Sequence, residues 1–86
     1  MAGGRLTLYS RPGCHLCDDM KAVVAPIARE LEWSIEEINI ATDPALEAEF
    51  GTEIPVLFVN GRKAFKYRLG ARELRQRLRR DAPSTS

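Results

Sequence analysis

Alternation opens the readable part of this chain. In "RLTLY", residues 5–9, polar and apolar side chains take turns, the period of a half-buried strand. The period then changes. Leu16, Met20, Val23, Val24, Ile27 and Leu31 recur every three or four positions, which predicts a helix starting near His15. Pro26 lies inside that pattern and removes one backbone donor, so a kink is expected near Ala22 to Ala25. "WSIEEINI", residues 33–40, carries Ile35, Ile38 and Ile40 for a second strand. "TDPALEAEFG" holds the signals of a short helix: Asp43 to cap it, Pro44 at its first position and Gly51 to end it. "IPVLFV" is an apolar run suited to a buried strand, and Asn60-Gly61 turns tightly into "RKAFKY". Ala71, Leu74 and Leu78 then make a narrow apolar stripe among arginines, predicting a last helix.

The predicted order is β-α-β-α-β-β-α. A helical crossover between the first two strands favours parallel pairing, and the last two strands form an antiparallel hairpin. The expected fold class is α/β, a mixed four-stranded sheet flanked by helices. One domain is expected over residues 1–80 and a disordered tail over 81–86. With 86 residues, 44% of them apolar, the chain has room for one modest core. No apolar run is long enough to span a bilayer, and "MAGGRLTLYS" shows no secretory pattern, so no membrane association and a cytoplasmic setting are expected. In that reducing compartment two cysteines do not serve as a permanent staple.

Charge adds an asymmetry that the net value of +1 conceals. Residues 62–80 hold nine Lys or Arg against the single acid Glu73, while residues 30–61 hold none. A solvated helix face explains this, and a nucleic-acid partner is not expected.

The chemistry sits in "YSRPGCHLCDDMK", residues 9–21, which contains both cysteines and the only histidine. Cys14 falls where strand gives way to helix, so free N–H groups and the positive end of the dipole favour an anion there. The thiolate is the form that attacks disulfides, and a helix start can lower a cysteine pKa from about 8.5 into roughly the 3.5–7.5 range. Cys17, one turn on, is placed to attack a mixed disulfide held by Cys14. His15 is a candidate modulator of the Cys14 pKa, although the dipole opposes a cation at that end. Asp18 and Asp19 suit the first turn electrostatically. Inert packed thiols fit poorly among Gly13, His15, Asp18 and Asp19. A closed zinc site needs about four ligands, and the chain offers two thiols and one imidazole. A metal or iron–sulfur cluster shared between two chains stays open.

A second clue lies forty residues on. Pro55 heads an apolar strand, where a missing donor is normally disfavoured. A trans proline opening the strand and a cis Ile54–Pro55 turn both fit these residues alone. With Cys-x-x-Cys at the start of a preceding helix, the cis form is favoured. Together, Cys14-His15-Leu16-Cys17 and Ile54-Pro55 resemble the thioredoxin superfamily, specifically its small glutaredoxin-like members. "LYSRPGCHLCDDMK…DPALEAEFGTEIPVLFVNG" is similar to a bacterial subgroup of short glutaredoxin-like proteins.

The resemblance implies a thioredoxin-like fold and a role for each matched residue. Cys14 corresponds to the attacking cysteine and Cys17 to the resolving one. Pro55 corresponds to the cis-proline facing the site, and Ile54 to the residue whose backbone pairs with an extended substrate. Arg11 stands where glutaredoxins commonly carry a lysine that holds a glutathione carboxylate. Other positions depart from the pattern. "FKYRLGARE" replaces the usual Gly-Gly and polar cap, and Glu47, Glu49 and Glu53 stand near Pro55, where acids repel a carboxylate. Thiol chemistry survives these changes better than glutathione specificity does.

The expected function is therefore that of a small dithiol–disulfide oxidoreductase in thiol redox homeostasis. It would bind no cofactor and would act as a monomer on a disulfide-bearing protein or small thiol. Glutathione or a thioredoxin-reductase-type donor would return it to the dithiol form. The alternative is a thiolate metal-binding or iron–sulfur-bridging module without redox turnover.

Overall fold

The computed structural model describes residues 3–81. Regular structure in this range runs β1 (Arg5–Ser10), α1 (His15–Glu30), β2 (Ser34–Asn39), a 3₁₀ turn (Ile40–Thr42), α2 (Pro44–Phe50), β3 (Val56–Val59), β4 (Arg62–Lys66) and α3 (Ala71–Asp81). The sheet order is β2-β1-β3-β4, with β1 parallel to β2 and antiparallel to β3, and β3 antiparallel to β4. This is the mixed sheet that the pattern predicts. Because β1 is interior, its last residues are held from both sides: Tyr9 pairs with Ile38 and with Val56.

Strand alternation sorts the side chains into two cores. Leu6, Leu8, Leu57 and Val59 face α1 and α3, whose Met20, Val24, Ile27, Leu74 and Leu78 close over them. On the other face Tyr9, Val56 and Phe58 meet Ile40, Phe50 and Leu46. There the Tyr9 and Phe50 rings stack at 4.6 Å, and Phe58 meets them edge-on at 5.3 and 5.8 Å. At about 1.5–3 kcal/mol for each fully buried aliphatic side chain, the first face supplies most of the stabilisation.

Local signals act as expected. Asp43 Oδ1 accepts the Ala45 N–H at 2.9 Å, Pro44 opens α2, and the Gly51 N–H closes it on the Glu47 carbonyl at 2.8 Å. At the hairpin Asn60 and Gly61 have φ of 52° and 83°, the left-handed pair that a two-residue turn of this hand requires. Asn60 also joins distant elements. Its Oδ1 accepts from the Arg5 N–H at 2.9 Å, and its Nδ2 donates to the Asp81 carbonyl at 3.2 Å. Where Pro26 leads one to expect a disturbed helix, the helical assignment of α1 instead continues through it, with the proline on the exposed face.

Four details differ from the pattern. β2 lies at the sheet edge, so Ile35 is 38% exposed, and Ile40 is buried from the 3₁₀ turn rather than from the strand. Ala71 is exposed, leaving Leu74 and Leu78 as the buried stripe of α3. Tyr67 falls just beyond β4 with φ of 69°. Asp81 belongs to α3 and not to the expected tail, because its carboxylate accepts from Arg77 Nε at 2.7 Å and its carbonyl from Asn60. Residues 82–86 of that tail lie outside the described range. Among the described residues no helix is long and apolar enough to cross a membrane.

Candidate active site

β1 delivers the chain to one end of the sheet, and "RPG" turns it into α1. Gly13 has φ of 78° with open space around it, so the turn needs its backbone freedom. Cys14 follows in extended conformation (φ −97°, ψ 112°) as the N-cap of α1. Its Sγ accepts the Cys17 backbone N–H at 3.2 Å, and its carbonyl accepts the Asp18 N–H at 3.1 Å. A sulfur thus occupies the place that Ser or Asp takes in an ordinary cap. When Cys14 ionises, that N–H becomes a donor to a charge.

Both cysteines are free thiols, and they differ sharply. Cys14 is half-buried, whereas Cys17 is only 3% exposed and packs with Ile40, Phe50, Ile54 and Val56. Burial is the main reason that the Cys17 pKa is pushed up to about 12 from an ordinary 9.0. Its hydrogen bond with Cys14 raises it further, a backbone contact with Arg11 pulls the other way, and the charges of Cys14 and Asp18 add smaller increases. One sulfur is open to solvent, and the other lies protonated at neutral pH within the apolar cluster.

The Ile54–Pro55 bond is cis. Pro55 is fully buried and Ile54 nearly so, the latter in the same apolar cluster as Cys17, with Cys14 against its edge. The turn is braced twice by Tyr67, whose N–H donates to the Pro55 carbonyl at 2.9 Å and whose hydroxyl donates to the Thr52 carbonyl at 3.2 Å. The Ile54 N–H donates to the Phe50 carbonyl at 3.1 Å and so finishes α2. For the strand-like pairing implied for Ile54, its N–H is already engaged, while its carbonyl accepts no backbone bond among the described residues.

Arg11 is also engaged. Its guanidinium forms an ion pair with Glu47 at 2.5 Å and donates to the Gly51 carbonyl at 3.3 Å. Of the three acids near Pro55, Glu47 is bound to Arg11 and Glu53 to Lys63, while Glu49 is exposed. The Lys63 hydrogen bond holds the Glu53 carboxyl below its ordinary range. His15 opens α1 as an exposed residue.

A polar cleft of about 290 Å³ beside Cys17 is lined by Ser10, Arg11, Pro12, Asp18, Glu37 and Asn39. Ser10 is buried and donates to Glu37 at 2.9 Å, and Lys21 reaches the same carboxylate at 2.9 Å. The Lys21 hydrogen bond is the main reason that the Glu37 pKa is lowered. Across α1 a smaller groove of about 190 Å³ runs between Leu16 and Tyr67. Among the described residues no three of His, Cys, Asp and Glu group as a metal site, so a thiolate ligand here would need donors from elsewhere.

The sequence reading missed Tyr67, Glu37 and the Arg11–Glu47 pair. Tyr67 had one local sign, a bulky residue where a strand ends among basic neighbours. For the others the chain carries no local signal.

A cysteine helix cap set against a cis-proline turn, at one end of a β2-β1-β3-β4 sheet, defines the class: a thioredoxin-like fold with a Cys-x-x-Cys site. A mutant thioredoxin from Halobacterium salinarum shares the fold at a TM-score of 0.68 and 18% identity, over 95% of this chain and 77% of that one. The model of the Glutaredoxin-like domain (DUF836) matches residues 5–79, and the chain belongs to that family. A structural-genomics target protein of X. campestris, solved by X-ray, is 37% identical over 87% of this chain and 96% of its own, with a TM-score of 0.70. A Nitrosomonas europaea protein solved by NMR is 28% identical over 91% and 93%, with a TM-score of 0.73.

Proposed function

We propose that this chain is a dithiol–disulfide exchange enzyme in which Cys14 attacks and Cys17 resolves. The observation that carries the reading is the Cys17 N–H aimed at Cys14 Sγ from the first turn of α1. An N–H fixed before the reaction stabilises the thiolate without reorganisation. In the first step the Cys14 thiolate forms a bond to one sulfur of a substrate disulfide, and the other sulfur leaves as a thiolate. Cys17 then attacks Cys14 Sγ, its proton passing to the substrate thiolate released in the first step. The second substrate sulfur departs, and a Cys14–Cys17 disulfide remains. Two electrons have passed from the protein to the substrate.

The Ile54 carbonyl would receive a backbone N–H of the substrate, held in place by the Tyr67 brace on the following turn. A disulfide-bearing protein or a small disulfide fits this arrangement. The electrons come back from a thiol such as glutathione or from a thioredoxin-reductase-type flavoprotein, so the chain needs no bound cofactor. Such a cycle belongs in a reducing, thiol-rich compartment such as the cytoplasm.

The test is a redox titration of the purified chain with thiol counting and peptide mapping. The expected result is one two-electron transition that consumes both thiols within a monomer. Cys14→Ser should abolish disulfide reduction, and Cys17→Ser should accumulate the mixed disulfide. A protein that comes out coloured or metal-loaded and shows no such transition would establish the metal-binding reading instead.

A further inference from the structure

We propose that Glu47 sets the charge selectivity of this site: by occupying the Arg11 guanidinium it disfavours carboxylate-bearing thiols such as glutathione and leaves low-charge thiols and disulfides as the preferred substrates. The inference rests on the exchange reaction proposed above. Arg11 stands three residues before Cys14 and lines the cleft that contains Cys17. Alone, it would attract an anion to that cleft. It is instead tied to α2 at two points, the Glu47 carboxylate and the Gly51 carbonyl. Glu47 belongs to the first turn of α2 and Gly51 is its C-cap, so the two contacts hold the guanidinium along the length of this short helix.

The other charges in the cleft reinforce the effect. Lys21 is matched by Glu37, which also takes the Ser10 hydroxyl. Asp18 has no ion-pair partner among the described residues, so the cleft carries a surplus of negative charge. A carboxylate arriving at Arg11 must share the guanidinium with Glu47 and face Asp18. A neutral thiol meets neither obstacle. Glu47 touches no reacting atom, so it acts as a specificity-determining residue through Arg11.

The reaction that reads this out is reduction of the Cys14–Cys17 disulfide. One thiolate attacks Cys14, and Cys17 leaves as a thiolate. A second thiolate takes the first thiol away as a disulfide, so two thiols supply two electrons. Rates with glutathione and with neutral 2-mercaptoethanol should be compared at low ionic strength. Glu47→Gln should raise the glutathione rate about three- to tenfold and leave the 2-mercaptoethanol rate within about twofold. The gain should fade near about 0.5 M salt and vanish when Arg11→Met is added. Equal acceleration of both thiols, or a gain that survives the added Arg11→Met, overturns the inference. If neither thiol reduces the disulfide in any variant, the exchange reaction itself fails, and 2-mercaptoethanol reports that failure separately. Thermal unfolding of each variant, expected to match the parent, shows that the fold is intact.

Discussion

The two faces of the sheet are built to different ends. The α1–α3 face holds a continuous aliphatic core, with Leu6, Leu8, Val24, Leu57, Leu74 and Leu78 all at 0% exposure. The α2 face is smaller and aromatic, and it includes a buried thiol, a cis-proline turn and a second, half-buried thiol. α2 itself is only seven residues long and ends in backbone bonds that also set the Pro55 turn. Stability is concentrated on one side of the sheet, so the other can keep a thiol near water.

Truncation is the strongest way to test that contrast. Leu74→Ala, on the aliphatic face, should cost about 2–5 kcal/mol in urea unfolding. Leu46→Ala, at the half-buried edge of the aromatic face, should cost no more than about 1 kcal/mol. Equal losses would show that both faces support the fold alike.

The two sulfurs sharpen the comparison next. Iodoacetamide at neutral pH should modify Cys14 about a hundredfold faster than Cys17, which is buried and protonated. Peptide mapping over time reads the order, and a faster Cys17 would reverse the assigned roles. The raised Cys17 pKa also has a consequence for stability. The folded chain holds that proton more tightly than the unfolded chain does. This contribution is therefore present in full below the ordinary pKa of 9.0 and is lost as pH climbs toward about 12. Cys17→Ala should flatten the fall of unfolding free energy above pH 9.0, and an unchanged slope would contradict the assignment.

The smallest expected effect concerns the brace. Tyr67→Phe removes the hydroxyl bond to Thr52 but keeps the backbone bond to Pro55. Stability should fall by about 0.5–1.5 kcal/mol, with a slower first attack on a peptide disulfide. A variant equal to the parent in both would show that the backbone bond alone holds the turn.

Much of the molecule was legible because its signals are local. The switch in period at Leu16, the Asp43-Pro44 start of α2, the Asn60-Gly61 turn and the leucines of α3 each depend on residues a few positions apart. So does the cysteine pair, since a three-residue spacing at a helix start places both sulfurs on one turn. Ile35 and Ala71 misled, because an apolar residue is buried only where a neighbouring element covers it. The edge position of β2 leaves Ile35 outside, and Ala71 is exposed at the very start of α3.

The chain alone therefore determined the elements, their order and the spacing that sets both thiols on one helical turn, since backbone geometry over one turn suffices for each. Only the folded sheet decided what surrounds that sulfur. Arg11 meets Glu47 across 36 positions and Tyr67 meets Thr52 across 15. Such contacts follow from where strands and helices converge, and no short-range pattern of charge or polarity encodes that convergence.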